Sequence, residues 1–401
     1  MQLKTRISTI ATVAICLLTG HAAAEEQSRP STTGAADPID SFIVQRMDDA
    51  GIMGLGAAII VDKKVVWMKG YGFADKDRAM PFTPDTVMNI GSIGKTFTGA
   101  AMMRAVQEGK LSLDADINTY LPFKVINPNY PNEKITLRHL ATHTSGITDR
   151  WSVYKNTYLY DGKAAQPAGE FLKSYSVPGG AYYSKDNFLN FKPGTHRDYS
   201  NVGAGVAGYI VEIVTGKKLN AYTRQNIFTP LRMNNTGWFL PEIAPGKHAK
   251  LYVAQNGVTI PIPLYEITNY PDGGVRTSVS DLSKFFIALL NDGVYEGTRL
   301  LDKSSVEEML RFQYTESNKP DNVNLQEINS GLFWATKFNG TRIGHGGSDP
   351  GVKTEMLSNL SKDVGVILFT NTSLSGPEER HHGAIFLELW KRAETLKNEG
   401  R

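Results

Sequence analysis

The chain has 401 residues, of which 43 are Lys or Arg and 40 are Asp or Glu, for a net charge of +3, and it contains a single cysteine. So small a basic surplus argues against nucleic-acid binding, which needs a clustered positive excess to meet phosphate. The length accommodates two domains, and with one thiol the fold has to rest on packed cores rather than disulfides.

Lys4 and Arg6, an apolar run from Ile7 to Leu18, and Ala22-Ala23-Ala24 before Glu25-Glu26 read as a secretory signal peptide over residues 1–24. The run is too short to cross a bilayer, so no stable membrane insertion is expected. The one cysteine, Cys16, follows Ile15 where a lipoprotein signal carries a small residue, so removal with the signal is expected. The expected location is periplasmic or secreted. Residues 25–36 (Ser28, Pro30, Ser31, Thr32, Thr33, Gly34) form a polar leader.

Asp37-Pro38 caps a helix with Ile39, Phe42, Ile43 and Met47 on its apolar face, ending at Gly51. Gly54 to Val61 and Val65 to Ala74 make a hairpin about Asp62-Lys63-Lys64. Helical periodicity then covers Phe97 to Glu108, Leu137 to His143, Val202 to Thr215, Leu219 to Phe228 and Ser280 to Asn291. Leu332 to Phe338 and Thr341 to His345 predict a second hairpin, because Asn339-Gly340 accepts the positive φ of a type I′ turn. Val352 to Leu357 and Val364 to Thr370 predict a third, and Ile385, Leu389, Ala393 and Leu396 mark a closing helix. With strands at both ends and helices between, the expected fold class is α+β. An antiparallel sheet built from both chain termini (residues 37–108 and 275–401) is flanked by helices and carries an inserted all-helical domain (109–274), with a cleft between the two.

Four motifs compete for that cleft. Gly94-Lys95-Thr96 resembles the end of a phosphate loop, but Asn89 stands where that loop needs glycine and no buried strand leads in. Gly203-Ala204-Gly205-Val206-Ala207-Gly208 fits G-x-G-x-x-G without its strand, so small residues that let a helix pack closely explain it better. His139-Leu140-Ala141-Thr142-His143 has Leu140 where a zinc hydrolase needs glutamate, so a structural role is expected and no metal or cofactor. Ser92-Ile93-Gly94-Lys95 spells S-x-x-K, a nucleophile-and-base pair. Ser152-Val153-Tyr154-Lys155 has the same spelling, and Y-x-N occurs at Tyr130, Tyr154 and Tyr199. Context favours Ser92, which opens a helix that sets Lys95 on the same face beside free N–H groups. Ser152 lies in an aromatic segment that lacks such a platform.

With Lys69-Gly70-Tyr71-Gly72, Thr83-Pro84-Asp85-Thr86, Ile135 to Leu140, Thr142 to Gly146, Tyr199-Ser200-Asn201 and His345-Gly346-Gly347, the chain resembles the penicillin-binding serine hydrolases: class C β-lactamases, D-alanyl-D-alanine carboxypeptidases, D-aminopeptidases and family VIII carboxylesterases. The resemblance implies Ser92 as nucleophile, Lys95 as base, Tyr199 as proton relay and Asn201 as holder of substrate and Lys95. It puts His345-Gly346-Gly347 on a cleft strand and makes the N–H groups of Ser92 and Ser348 the oxyanion hole.

For a lysine to act as base its pKa must fall, and both the helix N-terminus and burial are expected to lower that of Lys95. His345 replaces the family's lysine and Gly346 a hydroxyl side chain. An imidazole is only partly charged near neutrality, which disfavours efficient penicillin hydrolysis. The expected activity is that of a D-amino-acid peptidase or carboxylesterase on a small amide or ester. A class C-like β-lactamase and a non-catalytic penicillin-binding sensor are the alternatives. The aromatic segment from Trp151 to Tyr183 is expected to overhang the cleft, with a small molecule or peptide as partner.

Overall fold

The computed structural model describes residues 37–160 and 166–399. The expected signal peptide, its cysteine and the polar leader lie outside the described residues.

Helix α1 (Pro38–Ala50) starts at an Asp37 cap whose carboxylate accepts the Ile39 N–H, and it stops at Gly51 with φ +65°. Strand β1 (Gly54–Val61) and β2 (Lys64–Asp75) follow as the expected hairpin, with Asp62 and Lys63 both at positive φ. The two-residue strand β3 (Met80–Pro81) closes that edge. Strands β4 (Ala335–Lys337), β5 (Arg342–Asp349), β6 (Val352–Asn359) and β7 (Val364–Thr370) come from the other end of the chain. Together they form one antiparallel seven-stranded sheet in the order β4-β5-β6-β7-β1-β2-β3, so the two termini meet along β1 and β7.

All eight residues of β1 are buried because both faces of the sheet are covered. Leu55, Ala57 and Ile59 pack with Ile43 and Met47 of α1 and with Ile385 and Leu389 of the closing helix. Ala58 and Ile60 point the other way, into the larger core with Phe97, Phe285 and Phe286. The period of two along the strand therefore divides the sheet between two hydrophobic layers.

On that second layer lie α2 (Gly94–Gln107), α3 (Asn201–Thr215) and α4 (Val279–Leu290), while α5 (Glu379–Glu399) runs beside α1. The Phe97 ring of α2 stacks on Phe285 of α4 at 3.9 Å between centroids, fixing the helix that leads out of the S-x-x-K segment. The glycines of the G-x-G-x-x-G string lie within α3, where a Cβ at Gly205 would fall 1.8 Å from Asn269 Oδ1 and one at Gly208 2.3 Å from Pro271. Close helix packing accounts for them.

Two details depart from expectation. The segment between the hairpins is not all helical: Tyr158–Tyr160 pairs with Tyr265–Ile267, and Leu251–Gln255 pairs with Val258–Ile262. The second hairpin closes through four residues instead of two, with Phe338, Asn339 and Gly340 all at positive φ, and its first strand begins only at Ala335. Leu332, Phe333 and Trp334 turn their side chains into the core instead.

Candidate active site

Ser92 sits in a 3₁₀ turn, Gly91–Ile93, that runs directly into α2. Gly91 adopts φ +55°, and its N–H donates to Asn89 Oδ1 at 2.6 Å, so the chain reverses sharply just before the serine. The expected helix thus begins two residues later than Ser92, yet the spacing of three still brings Lys95 Nζ to 3.1 Å from Ser92 Oγ.

Lys95 is fully buried, and its amine has two further partners: Asn201 Oδ1 at 2.6 Å and the Asp272 carbonyl at 2.8 Å. Both are pure acceptors, so they take two of the amine's hydrogens whatever its charge. As an ammonium, Nζ gives its third hydrogen to Ser92. As a neutral amine it aims its lone pair there. The charge state departs from expectation. Burial pulls the Lys95 pKa down, but the adjacent Tyr199 hydroxyl oxygen and the charges of the Asp272 and Asp149 carboxylates outweigh burial and hold it above the usual lysine range. The resting amine is therefore protonated at neutral pH.

Tyr199 exposes 37% of its surface, yet its hydroxyl end is enclosed beside Lys95 and Ser92. Burial pushes its pKa up, more than those two neighbours pull it down, so it rests as a neutral phenol. Its ring lies 4.3 Å from that of His143, which is buried, held neutral by burial, and accepts the Ser200 N–H at Nδ1. Asp149 completes the clamp: its carboxylate accepts the N–H groups of Asn201 (2.8 Å) and Val202 (2.9 Å) and the Ser200 hydroxyl (3.2 Å). Ser200 Oγ in turn caps Gly203 N–H at 2.9 Å. The first N–H groups of α3 are thus satisfied, and Tyr199 and Asn201 are held at a fixed helix start.

Strand β5 carries His345, Gly346, Gly347 and Ser348 past the serine. Gly347 is needed for close approach, because a Cβ there would lie 2.2 Å from the Ile90 carbonyl. Thr354 on β6 also donates to that carbonyl, at 2.9 Å. A Cβ at Gly91 would lie 3.2 Å from Ser348 N, so that N–H borders the turn that holds Ser92. His345 is buried, its Nδ1 bonds the Gly346 carbonyl at 2.6 Å, and burial lowers its pKa to about 3. It is accordingly neutral through the physiological range, and not partly charged as expected. Over Gly346 sits Lys337, held by both oxygens of Glu355 at 2.8 and 2.7 Å.

These groups open onto one cavity of about 590 Å³, whose walls include Ser92, Tyr199, Asn201, His345, Gly346, Gly347 and Ser348. The structure thus brings every candidate residue of the S-x-x-K, Y-x-N and third motifs to one place. Of the aromatic segment, Trp151, Tyr154 and Tyr158 line the cavity, whereas Phe171 and Tyr175 pack into the core. Ser152 and Lys155 of the rival S-x-x-K are both solvent-exposed. No group of three or more potential metal ligands occurs among the described residues, and His139 Nδ1 accepts its own helix-capping N–H from Thr136.

Sequence reasoning missed Asp149, Arg197, Asp272 and Asp349. Asp272 and Asp349 line the cavity with Arg197. Asp149 stands three residues beyond Gly146 of a quoted motif, but a lone aspartate carries no spacing signal.

An antiparallel sheet with a serine and a buried lysine at the head of a helix packed against it is the arrangement of a serine-hydrolase fold. The chain belongs to the β-lactamase family, whose profile matches residues 39–389. Protein flp of Staphylococcus aureus (strain MRSA252) is 27% identical over 350 residues, 85% of this chain and 64% of that protein, so the chain spans less than two thirds of the length of that relative. The octameric penicillin-binding protein homologue of Pyrococcus abyssi superposes with a TM-score of 0.70 at 28% identity, over 89% of this chain and 76% of that one. The D-amino acid amidase of Ochrobactrum anthropi SV3 has the same fold, with a TM-score of 0.69 at 23% identity over 91% of this chain and 100% of that one. Among the described residues no helix is long and apolar enough to cross a membrane.

Proposed function

We propose that this protein is an exported serine hydrolase that forms an acyl-enzyme on Ser92 and cleaves a small amide or ester. It acts as a D-amino-acid peptidase or a carboxylesterase. The observation that carries the reading is the threefold seat of Lys95 Nζ between Ser92 Oγ, Asn201 Oδ1 and the Asp272 carbonyl. Two of those partners are unable to donate, so loss of one proton leaves a lone pair directed at the serine.

In this mechanism the neutral amine takes the Ser92 proton as Oγ bonds the carbonyl carbon. The resulting oxyanion faces the N–H groups of Ser92 and Ser348. Collapse breaks the bond to the leaving group, which receives its proton from Lys95 through the Tyr199 hydroxyl. Water then attacks the acyl carbon, returns a proton along the same route, and the Oγ–C bond breaks. A neutral His345 presents no fixed charge to a penicillin carboxylate, which ranks β-lactam hydrolysis below the other two activities.

Fluorophosphonate labelling followed by intact mass tests the nucleophile. Ser92→Ala abolishes the adduct and Ser152→Ala retains it; the reverse pattern refutes the assignment. A fluorescent penicillin adduct that persists without product identifies a sensor instead of an enzyme.

A further inference from the structure

The cavity wall carries charges of both signs. Beside Tyr199 stand the neutral His345 and Arg197, whose guanidinium makes no ion pair among the described residues and whose Nε is buried without a partner. The cavity's other cations are paired, Lys337 with Glu355 and Lys353 with Glu379.

Two carboxylates also line the cavity, Asp272 and Asp349, and Asp272 is near enough to Lys95 and Tyr199 to raise the pKa of each. Tyr154 donates to Asp272 Oδ2 at 2.8 Å, as does Asn269 at 2.6 Å, and Tyr158 donates to Asp349 Oδ1 at 2.6 Å. One oxygen of each is thereby pinned, while Asp272 Oδ1 and Asp349 Oδ2 have no hydrogen bond among the described residues. Asp272 is only 2% exposed, and a Cβ at Gly91 would lie 3.2 Å from Asp349 Oδ2. Lys95 spends its three donor positions on Ser92, Asn201 and a backbone carbonyl, so neither carboxylate receives an ammonium hydrogen. A buried carboxylate and a half-buried one, neither with a bonded cation, are costly to keep in a folded chain, and such pairs mark functional sites. Burial raises their pKa values, to about 7 for Asp272 and about 6 for Asp349, as an unmet charge requires.

The proton donor to the leaving group has to stand on the leaving-group side, which makes the Tyr199 and Arg197 end the departing side. The acyl half of the substrate then lies on the side of Ser348 and Asp349, in a cavity whose wall also includes Asp272, Trp151, Tyr154 and Tyr158. Arg197 repels a cation bound the other way round.

We propose that the acyl half of the substrate carries a free ammonium group, seated between Asp272 and Asp349, so that the protein hydrolyses short α-aminoacyl amides or peptides with an unblocked amine. This rests on the acyl-transfer reading above and narrows it to the aminopeptidase or amidase type. The seated cation also offsets the carboxylates that hold the proton on Lys95. Amine-bearing substrates therefore gain in kcat as well as in KM.

The test compares D-alanine p-nitroanilide with N-acetyl-D-alanine p-nitroanilide, alongside p-nitrophenyl acetate as an uncharged probe, each corrected for the Ser92→Ala background. The free amine is expected to win by about tenfold to a hundredfold in kcat/KM, the worth of a charged hydrogen bond. That ratio falls toward unity in Asp349→Asn and Asp272→Asn, and part of the way in Tyr158→Phe, which unpins Asp349 while preserving the ring. Because the ratio is internal to each variant, a change in overall rate cancels. Wild-type protein that cleaves the acetylated substrate equally well, or a ratio unmoved in all three variants, overturns the inference and leaves the nucleophile intact. Absence of Ser92-dependent turnover with all three probes overturns the acyl-transfer reading and this inference with it.

Discussion

Replacing Asp149 with alanine removes the acceptor for two backbone N–H groups and one hydroxyl at the start of α3, at 2.8, 2.9 and 3.2 Å. Loss of a helix-capping acceptor costs about 1 kcal/mol, and each buried donor left unpaired adds about 1 kcal/mol or more, so a destabilisation of about 3 kcal/mol is expected. Ser200 keeps its own cap on Gly203, so the helix survives while its first turn loosens. That turn begins with Asn201, and Tyr199 leads into it through the Ser200 cap. A displacement of about 1 Å there should lower kcat about a hundredfold, with KM changing less. Urea unfolding gives the stability, and progress curves with p-nitrophenyl acetate give the kcat and KM split. Asp149→Asn, which retains one acceptor oxygen, should recover part of both losses. Stability within about 0.5 kcal/mol of wild type and kcat within about twofold would refute the clamp.

Because Tyr199, Asp272 and Asp149 hold the Lys95 pKa above the usual range, kcat/KM for an uncharged ester should still be rising at pH 9, and a plateau reached below pH 8 would contradict a protonated resting amine. Asp272 and Asp349 have native-state pKa values above that of an unfolded aspartate, so the native state keeps protons that the unfolded chain releases between about pH 4 and pH 7. Stability is therefore lost as pH rises through that window. The difference in Tm between wild type and Asp272→Asn, followed from pH 4 to pH 8, should shift in favour of the variant, and a constant difference would contradict the assignment. Gly347→Ala puts a Cβ 2.2 Å from the Ile90 carbonyl and 2.4 Å from Thr354 Oγ1, which should cost about 2 kcal/mol and part β5 from the turn that holds Ser92. Thermal melts and fluorophosphonate labelling rates report the two effects separately.

Residues close in the chain were the legible ones. Ser92 and Lys95 lie three apart, and a helical turn brings that spacing together wherever it occurs. The Asp62-Lys63 turn and the Asp37 and Gly51 helix ends are likewise decided within a few residues. Leu332 to Trp334 misled because a short apolar run spells strand and buried loop alike. The four-residue turn after Lys337 depends on where β4 pairs with β5, which Asn339-Gly340 does not fix.

The amino-acid sequence by itself determined the helix-and-hairpin order, the serine with its lysine, and the β-lactamase family resemblance, since each is written in short-range spacing. Only the tertiary structure decided the charge on Lys95, because the groups that set it, Asp149, Tyr199 and Asp272, arrive from 54 to 177 positions away. It likewise decided the neutrality of His345 and the exposed placement of Ser152. Burial and the company of distant charges are properties of the packed chain, and no local pattern encodes them.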